Sequence, residues 1–115
     1  AEMGLLKRFL KLKWMPIVNA AEFTYIRDIK PLKKFEIETK VVGWDEKYFY
    51  IEQRFISERG LHCIVHVRGV FVCKGKQVPL EVLVKEAGYT DPAPELPPEV
   101  VKWKAFLQLK KERNL

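Results

Sequence analysis

Two histidines in the middle of the chain are the first candidates for chemistry. His62 and His66 are four residues apart, and on a helix this spacing would place both imidazoles on one face, as a shared metal site requires. The β-branched residues around them favour a strand, in which four residues span about 13 Å. We therefore expect both histidines on the mixed outer face of a sheet, and no metal site.

Two cysteines occur in the same segment and are the next candidates. Cys63 and Cys73 are expected on one face of one strand, about 33 Å apart, whereas the Cα atoms of a disulfide lie at most about 7 Å apart. We expect them to be buried free thiols in the cytoplasm or another reducing compartment. A nucleophilic pair of Cys63 with either histidine is also excluded, because odd and even strand positions face opposite sides.

Serine and phosphate-loop chemistry have no recognisable motif in this chain. Ser57 is the only serine, and no Gly-x-Ser-x-Gly turn surrounds it, so no serine hydrolase activity is expected. Gly69, Gly75 and Gly88 are scattered and follow no phosphate-loop spacing.

A few polar residues near the start of the chain and one turn remain as candidates. Glu22 lies with Asn19 and Thr24 in a segment of alternating polarity, and a carboxylate held in a cleft can act as a general base. The alternative is that Glu22 is a solvated residue on the surface of a sheet. The turn at 43–47 is the second candidate region.

The segments that must position these residues alternate mainly with the period of a strand. We predict four strands, over 17–29, 35–41, 47–57 and 61–73, separated by a break at 30–32 and by turns at 43–46 and 58–60. Three helical segments accompany them: an amphipathic helix over 3–14, a short helix over 80–87 and a last helix from Pro98 onward, after a proline-rich segment at 91–98. The apolar side of the first helix, which includes Leu10 and Leu12, is expected to face the core, and the last helix is expected to carry Val100, Trp103 and Leu107 on one face. Long strands with short connections indicate a single antiparallel α+β domain.

The predicted sheet has more apolar surface than the rest of the chain covers. Four strands with one strongly apolar face need a packed layer, and the helix over 3–14 is too short to supply it. We expect either a partner chain or a segment that precedes Ala1 to cover this face.

Composition and charge exclude several classes of protein. The chain has 115 residues, of which 48% are hydrophobic, so it is expected to form a core rather than a disordered chain. No apolar run approaches the ~20 residues of a membrane-spanning helix. The net charge of +6 comes from the ends: residues 1–15 carry +3 and residues 102–115 carry +4, which leaves −1 between them. A nucleic-acid partner is therefore not expected. The basic faces are expected to be solvated, with binding of the first helix to anionic lipid as the alternative.

One continuous run resembles a known family. Residues 31–55 read PLKKFEIETKVVGWDEKYFYIEQRF, and the segments Gly60–Cys63 and Glu95–Pro98 follow at matching positions. Over roughly residues 15–107 the chain resembles the thioesterase-like branch of the hotdog superfamily, near its thioesterase superfamily member 6 group. The Gly43–Lys47 turn carries the most specific part of this resemblance.

The resemblance implies a fold and an activity. The fold is a hotdog: a curved antiparallel sheet wrapped around one long helix, here with C-terminal helices. The implied protein is a homodimer or homotetramer with its active site at the dimer interface. The implied activity is hydrolysis of an acyl-CoA or related thioester without a metal or separate cofactor, since coenzyme A is part of the substrate. A catalytically silent hotdog protein that binds acyl ligands or protein partners is the alternative.

The resemblance also places the expected site. Residues 1–13 look like the end of the long helix, so chain 1–115 is expected to be a hotdog domain without its first strand and most of that helix. The catalytic carboxylate and the helix start that would stabilise an oxyanion are then expected upstream of Ala1. Substrate-binding residues implied within the chain are Asn19, Glu22, Thr24, Trp44, Lys47 and, toward a CoA phosphate, Arg59.

Overall fold

The computed structural model describes residues 2–30, 34–89 and 94–115, with side chains from Lys7 onward. In chain order its elements are α1 (Glu2–Lys11), β1 (Met15–Tyr25), β2 (Glu36–Trp44), β3 (Phe49–Ser57), β4 (Gly60–Cys73), β5 (Lys76–Gln77), α2 (Leu80–Glu86) and α3 (Pro98–Arg113). The α+β class and the four long strands are as predicted. Most of the predicted break at 30–32 and the start of the proline-rich segment 91–98 lie outside the described residues.

The strands form one antiparallel sheet in the order β1-β4-β3-β2, and the short β5 pairs with the end of β4. The register aligns side chains in rows that cross the sheet. One row is formed by Val41, Ile51, Val67 and Ala21, and it lies on what we call the inner face. The next row is charged and lies on the opposite, outer face; it is formed by Lys40, Glu52, His66 and Glu22.

Helices cover both faces of the sheet. On the inner face, α1 and α2 contribute to a buried cluster of Phe9, Phe49, Phe71, Val78, Leu80 and Leu83. On the outer face, α3 packs Val100 against Tyr50 and Val42 in a second cluster, with Trp103 beside it. Of the three residues predicted on one face of the last helix, Val100 and Trp103 therefore pack against the sheet together.

The first helix is shorter than predicted, and its apolar face is only partly buried. It ends at Lys11 rather than at residue 14, because Lys13 adopts a left-handed φ of 63° and the Trp14 amide turns back to the Phe9 carbonyl. Phe9 is buried, but Leu10 and Leu12 are 44% and 43% exposed. The prediction that these two leucines face the core is wrong.

Strand boundaries also differ from the prediction. The second strand continues through Gly43 and Trp44, so the predicted turn begins two residues later, at Asp45. A register shift between Val41 and Gly43 allows the strand to continue, because one extra residue is accommodated opposite β3. The first strand stops at Tyr25 instead of residue 29, since the next two amides, Ile26 and Arg27, both turn to the His62 carbonyl.

Much of the inner face away from α2 is exposed. Phe23 and Tyr25 stack on each other on β1 and are 57% and 67% exposed, and Ile37 on β2 is 56% exposed. This agrees with the expected excess of apolar sheet surface, while the identity of what covers it stays a prediction. No helix among the described residues has the length and apolar character needed to cross a membrane.

Candidate functional site

The inner face contains an apolar cavity of about 240 Å³. Its floor is formed by the sheet and its walls by α1, α2 and the start of β1. Among the described side chains that line it, Thr39, Trp44, Gln53 and Tyr89 carry polar groups. Gln53 donates from Nε2 to Thr39 Oγ1 across 3.4 Å. The cavity can therefore hold an apolar group beside one amide and one hydroxyl.

The outer face contains a groove between the sheet and α3, and the charged row lies along its floor. His66 is placed between two carboxylates by the register of three strands. Its Nε2 is 2.9 Å from Glu52 Oε1, and its Nδ1 is 3.6 Å from Glu22 Oε2. Glu52 also accepts from Arg54 Nε at 3.0 Å, while Glu22 accepts from Thr24 Oγ1 at 2.6 Å.

Glu52 is the buried member of this row, and its ionisation is set by competing effects. Burial raises the pKa of Glu52, but the hydrogen bonds from His66 and Arg54 outweigh burial and hold the pKa below its usual value of 4.5. Ligand atoms of Glu52, His66 and Glu99 lie within 4.8 Å of one another. This group contains only one histidine, so it is not the pair considered from the sequence; His62 has a separate set of partners.

Glu52→Gln is expected to lower the free energy of unfolding by about 1 to 2 kcal/mol at neutral pH, because an amide replaces a carboxylate that accepts two charge-assisted hydrogen bonds. Since the pKa is lowered by folding, this contribution is full above the unfolded value and is lost as the pH falls through the folded value. Denaturant unfolding at neutral and acidic pH measures both effects. Glu36→Gln, at an exposed position on β2, is the matched control, and equal losses in the two variants would contradict the prediction.

The turn after β2 is organised by a single carboxylate. Asp45 Oδ1 accepts from the amides of Lys47 and Tyr48 at 2.8 and 2.7 Å, and Oδ2 accepts from Tyr50 Oη at 2.8 Å. Lys104 on α3 lies 3.0 Å from the same Oδ2. The side chain of Asp45 therefore connects the turn, a buried tyrosine of β3 and α3.

A serine and a histidine meet at the β3–β4 hairpin. Ser57 Oγ lies 2.5 Å from His62 Nε2, and His62 Nδ1 lies 2.8 Å from the carbonyl oxygen of Asp28. Sequence reasoning missed this pair because it looked for a serine motif. The available signal was the predicted turn at 58–60, which brings the two flanking strand ends together.

The six substrate-binding residues implied by the resemblance lie in three separate places. Asn19, Glu22, Thr24 and Lys47 line the outer groove. Trp44 lines the inner cavity and packs against Tyr89, with ring centroids 5.1 Å apart, while Arg59 lies at the hairpin cleft with Ser57. The structure does not bring the six into one site, because alternate strand positions face opposite sides of the sheet.

Three contacts show what the outer-groove residues do locally. Arg68 Nε donates to Asn19 Oδ1 at 2.7 Å, and its guanidinium carbon lies 4.2 Å from the centroid of the Tyr48 ring. Lys47 Nζ lies 5.3 Å from the centroid of the same ring. These residues therefore form one polar surface around Tyr48.

The antiparallel α+β sheet with helices on both faces defines the class of the protein, and comparison with known proteins gives the family. Residues 1–104 match the family described as the Thioesterase-like superfamily. The chain belongs to this superfamily, which confirms the predicted resemblance and agrees with a hotdog fold.

Curated relatives carry related names. The chain is 41% identical to Protein THEM6 of Danio rerio over 56 residues, which are 49% of the chain and 28% of that protein. It is 29% identical to Protein THEM6 of Drosophila melanogaster over 113 residues, 96% of the chain and 56% of that protein. It is 33% identical over 48 residues to the Probable thioesterase YBR096W of Saccharomyces cerevisiae, 41% of the chain and 20% of that protein. Even in the longest of these matches, the chain spans little more than half the length of the relative.

Proposed function

We propose that this chain contributes the acyl-binding part of an acyl-CoA thioester hydrolase. The observation that carries the proposal is the apolar inner cavity, whose volume of about 240 Å³ suits a hydrocarbon chain. Each methylene that enters such a cavity from water contributes about 0.8 kcal/mol to binding. A family whose members include named thioesterases makes an acyl thioester the fitting ligand.

The polar pair in the cavity wall supplies a position for the thioester group. Gln53 has two amide hydrogens, and one of them points to Thr39 Oγ1. We assign the other to the thioester carbonyl oxygen, on which negative charge develops when water adds to the carbonyl carbon. The C–S bond then breaks, and the thiolate of coenzyme A takes up a proton.

The general base is proposed to lie outside the described residues, as the resemblance implies. The carboxylates of Glu22 and Glu52 face the outer groove, on the opposite side of the sheet from the cavity. A thioester whose acyl chain fills the inner cavity is therefore separated from both by the sheet itself. The sheet thus favours a base supplied by another segment or another subunit.

A homodimer is proposed from the exposed edge of the sheet. β1 forms one edge of the sheet among the described strands, and it exposes large apolar side chains. Val18 and Phe23 are 62% and 57% exposed on this strand. An exposed apolar edge strand is a template for pairing with another strand, and a second copy would cover it. The two free cysteines support a reducing compartment such as the cytoplasm.

The test is release of coenzyme A thiol by the full gene product from a panel of acyl-CoAs of short, medium and long chain. Val67→Phe places an aromatic ring in the cavity, and we expect kcat/KM for longer chains to fall about ten- to a hundredfold, with short chains less affected. Val82→Phe, at an exposed position on α2 outside the cavity lining, is the matched control.

Two other results would change the proposal. Equal kcat/KM for Val67→Phe and the parent protein on every chain length would show that the acyl chain does not bind in the inner cavity. Binding of acyl-CoA without turnover, by a folded protein, would favour the catalytically silent acyl-binding alternative.

A further inference from the structure

The Ser57–His62 pair has the hydrogen-bond pattern of an activated nucleophile. The carbonyl oxygen of Asp28 only accepts hydrogen bonds, so His62 Nδ1 must carry the hydrogen in this contact. In the neutral imidazole Nε2 is then an acceptor, and it faces Ser57 Oγ at 2.5 Å. The serine hydroxyl therefore donates to a nitrogen that is able to take its proton.

The surroundings fix the histidine in this orientation. His62 is only 3% exposed, and the ring of Phe35 packs edge-on against it with centroids 5.3 Å apart. The carbonyl of Asp28 occupies the place that a carboxylate has in a Ser-His-Asp triad, orienting the base from its far nitrogen. Burial and two hydrogen bonds therefore fix the orientation of the His62 imidazole ring.

The serine and the histidine both line an open cleft at the end of the sheet. The cleft is bordered by Lys30, Lys34 and Arg59, with Glu36 and Glu58 also on its rim. The backbone amide of Arg59 donates to Ser57 Oγ at 3.1 Å, so Oγ is positioned by a backbone donor as well as by His62. Three cationic side chains favour a substrate with an anionic leaving group.

We propose that Ser57 is a nucleophile that accepts acyl groups from anionic acyl donors, with His62 as its base. Oγ attacks the carbonyl carbon, an Oγ–C bond forms, and the serine proton moves to His62 Nε2. The bond from carbon to the leaving sulfur or oxygen breaks, and the leaving group takes the proton from His62. This site lies at the β3–β4 hairpin, apart from the inner cavity, so it goes beyond the proposed hydrolysis and does not depend on it.

The first test uses a fluorophosphonate. Ser57 Oγ forms a bond to its phosphorus, the P–F bond breaks and fluoride leaves. Ser57 is the only serine of residues 1–115, and peptide mass mapping locates the adduct within them. We expect one adduct on Ser57, formed at least about a hundredfold faster in the folded chain than in the same chain unfolded in urea. Ser57→Ala is expected to give none. Equal rates in the folded and unfolded chain, or an adduct at another residue, would overturn the proposal.

A pair of matched variants tests the base. His62→Asn keeps a donor near the Nδ1 position but removes Nε2, and it is expected to lower the labelling rate to that of the unfolded chain. His66→Asn makes the same change on the same strand away from the cleft, and the parent rate is expected. Circular dichroism checks that both fold. If His62→Asn unfolds, the labelling rates of the folded and urea-unfolded parent chain decide the proposal. If His62→Asn folds and is labelled at the parent rate, the proposed role of His62 is wrong.

The donor class is tested by acetyl transfer to Ser57 from acetyl-CoA and from an uncharged acetyl thioester. We expect acetyl transfer to be faster from acetyl-CoA than from the uncharged thioester. In Arg59→Glu, the rate of transfer from acetyl-CoA is expected to fall about tenfold. That variant keeps the Arg59 backbone amide and changes only the side-chain charge. Equal transfer from both donors would overturn the assignment of an anionic substrate.

Discussion

Asp45→Ala is expected to lower the free energy of unfolding by about 3 kcal/mol, because it removes the acceptor of three hydrogen bonds at once. The amides of Lys47 and Tyr48 lose their partner, and the hydroxyl of the buried Tyr50 loses the acceptor of its hydrogen. The ion pair with Lys104 is also lost, which frees α3 from the turn. At about 4 °C per kcal/mol the melting temperature should fall by roughly 12 °C.

The pH dependence gives an independent check on Asp45. Burial raises its pKa, but the hydrogen bonds from Tyr48, Lys47, Lys104 and Tyr50 outweigh burial and hold the pKa below its usual value of 3.8. The stabilising effect is therefore complete above about pH 4 and is lost as the pH falls through the lowered pKa. The gap in melting temperature between the parent and Asp45→Ala should narrow on acidification.

The neighbouring exposed residue provides the control. Glu46→Ala removes a carboxylate one position away that is exposed to solvent, and its melting temperature is expected to stay close to that of the parent. If Glu46→Ala and Asp45→Ala have the same melting temperature, Asp45 does not organise the turn.

Gly69→Ala is expected to cost about 2 to 4 kcal/mol, because the centre of β4 has no room for a methyl group. An added Cβ would lie 2.6 Å from the Ile17 carbonyl oxygen and 3.0 Å from Phe49 Cζ. The first neighbour is backbone, so β1 must move away from β4 where Val18 pairs with Gly69. Ile17, Val18 and Phe49 also line the inner cavity, so affinity for acyl-CoA, the ligand proposed for this cavity, should fall with stability.

Gly75→Ala is the matched control for this change. A Cβ at Gly75 meets nothing within 4 Å, although its φ of 80° favours glycine. It is expected to cost about 1 kcal/mol or less, without any effect on acyl-CoA affinity. Thermal unfolding and acyl-CoA titration of both variants provide the measurements. Equal stability losses, or unchanged acyl-CoA affinity in Gly69→Ala, would show that the close contact between β1 and β4 does not shape the cavity.

The buried tyrosine shows why the turn motif is so specific. Burial and the Asp45 carboxylate raise the pKa of Tyr50 well above its usual value of 10.0, so its hydroxyl stays protonated and donates. The resemblance implies that Trp44 and Lys47 of the Gly43–Lys47 turn bind substrate. In the structure, the carboxylate of this turn joins β3 and α3, and Lys47 contributes its backbone amide to the same carboxylate.

The sequence by itself determined the long elements and most of the faces of their side chains. Alternation of period two predicted four antiparallel strands, and helical spacing predicted that Val100 and Trp103 share one face of the last helix, which packs on the sheet. The free cysteines were also predictable, because two residues on one strand are too far apart to form a bond. These features depend on neighbours along the chain, so local physics was sufficient.

The tertiary structure alone decided which residues meet. Glu22 and His66 are adjacent because β1 pairs with β4, and no local pattern specifies that partner or its register. Trp44 and Lys47, three residues apart, line opposite sides of the sheet because one ends a strand and the other lies in the turn beyond it. Ser57 finds His62 through the hairpin and a register shift between Phe55 and Ile56. Sites of this kind depend on strand pairing, which links residues that are distant along the chain.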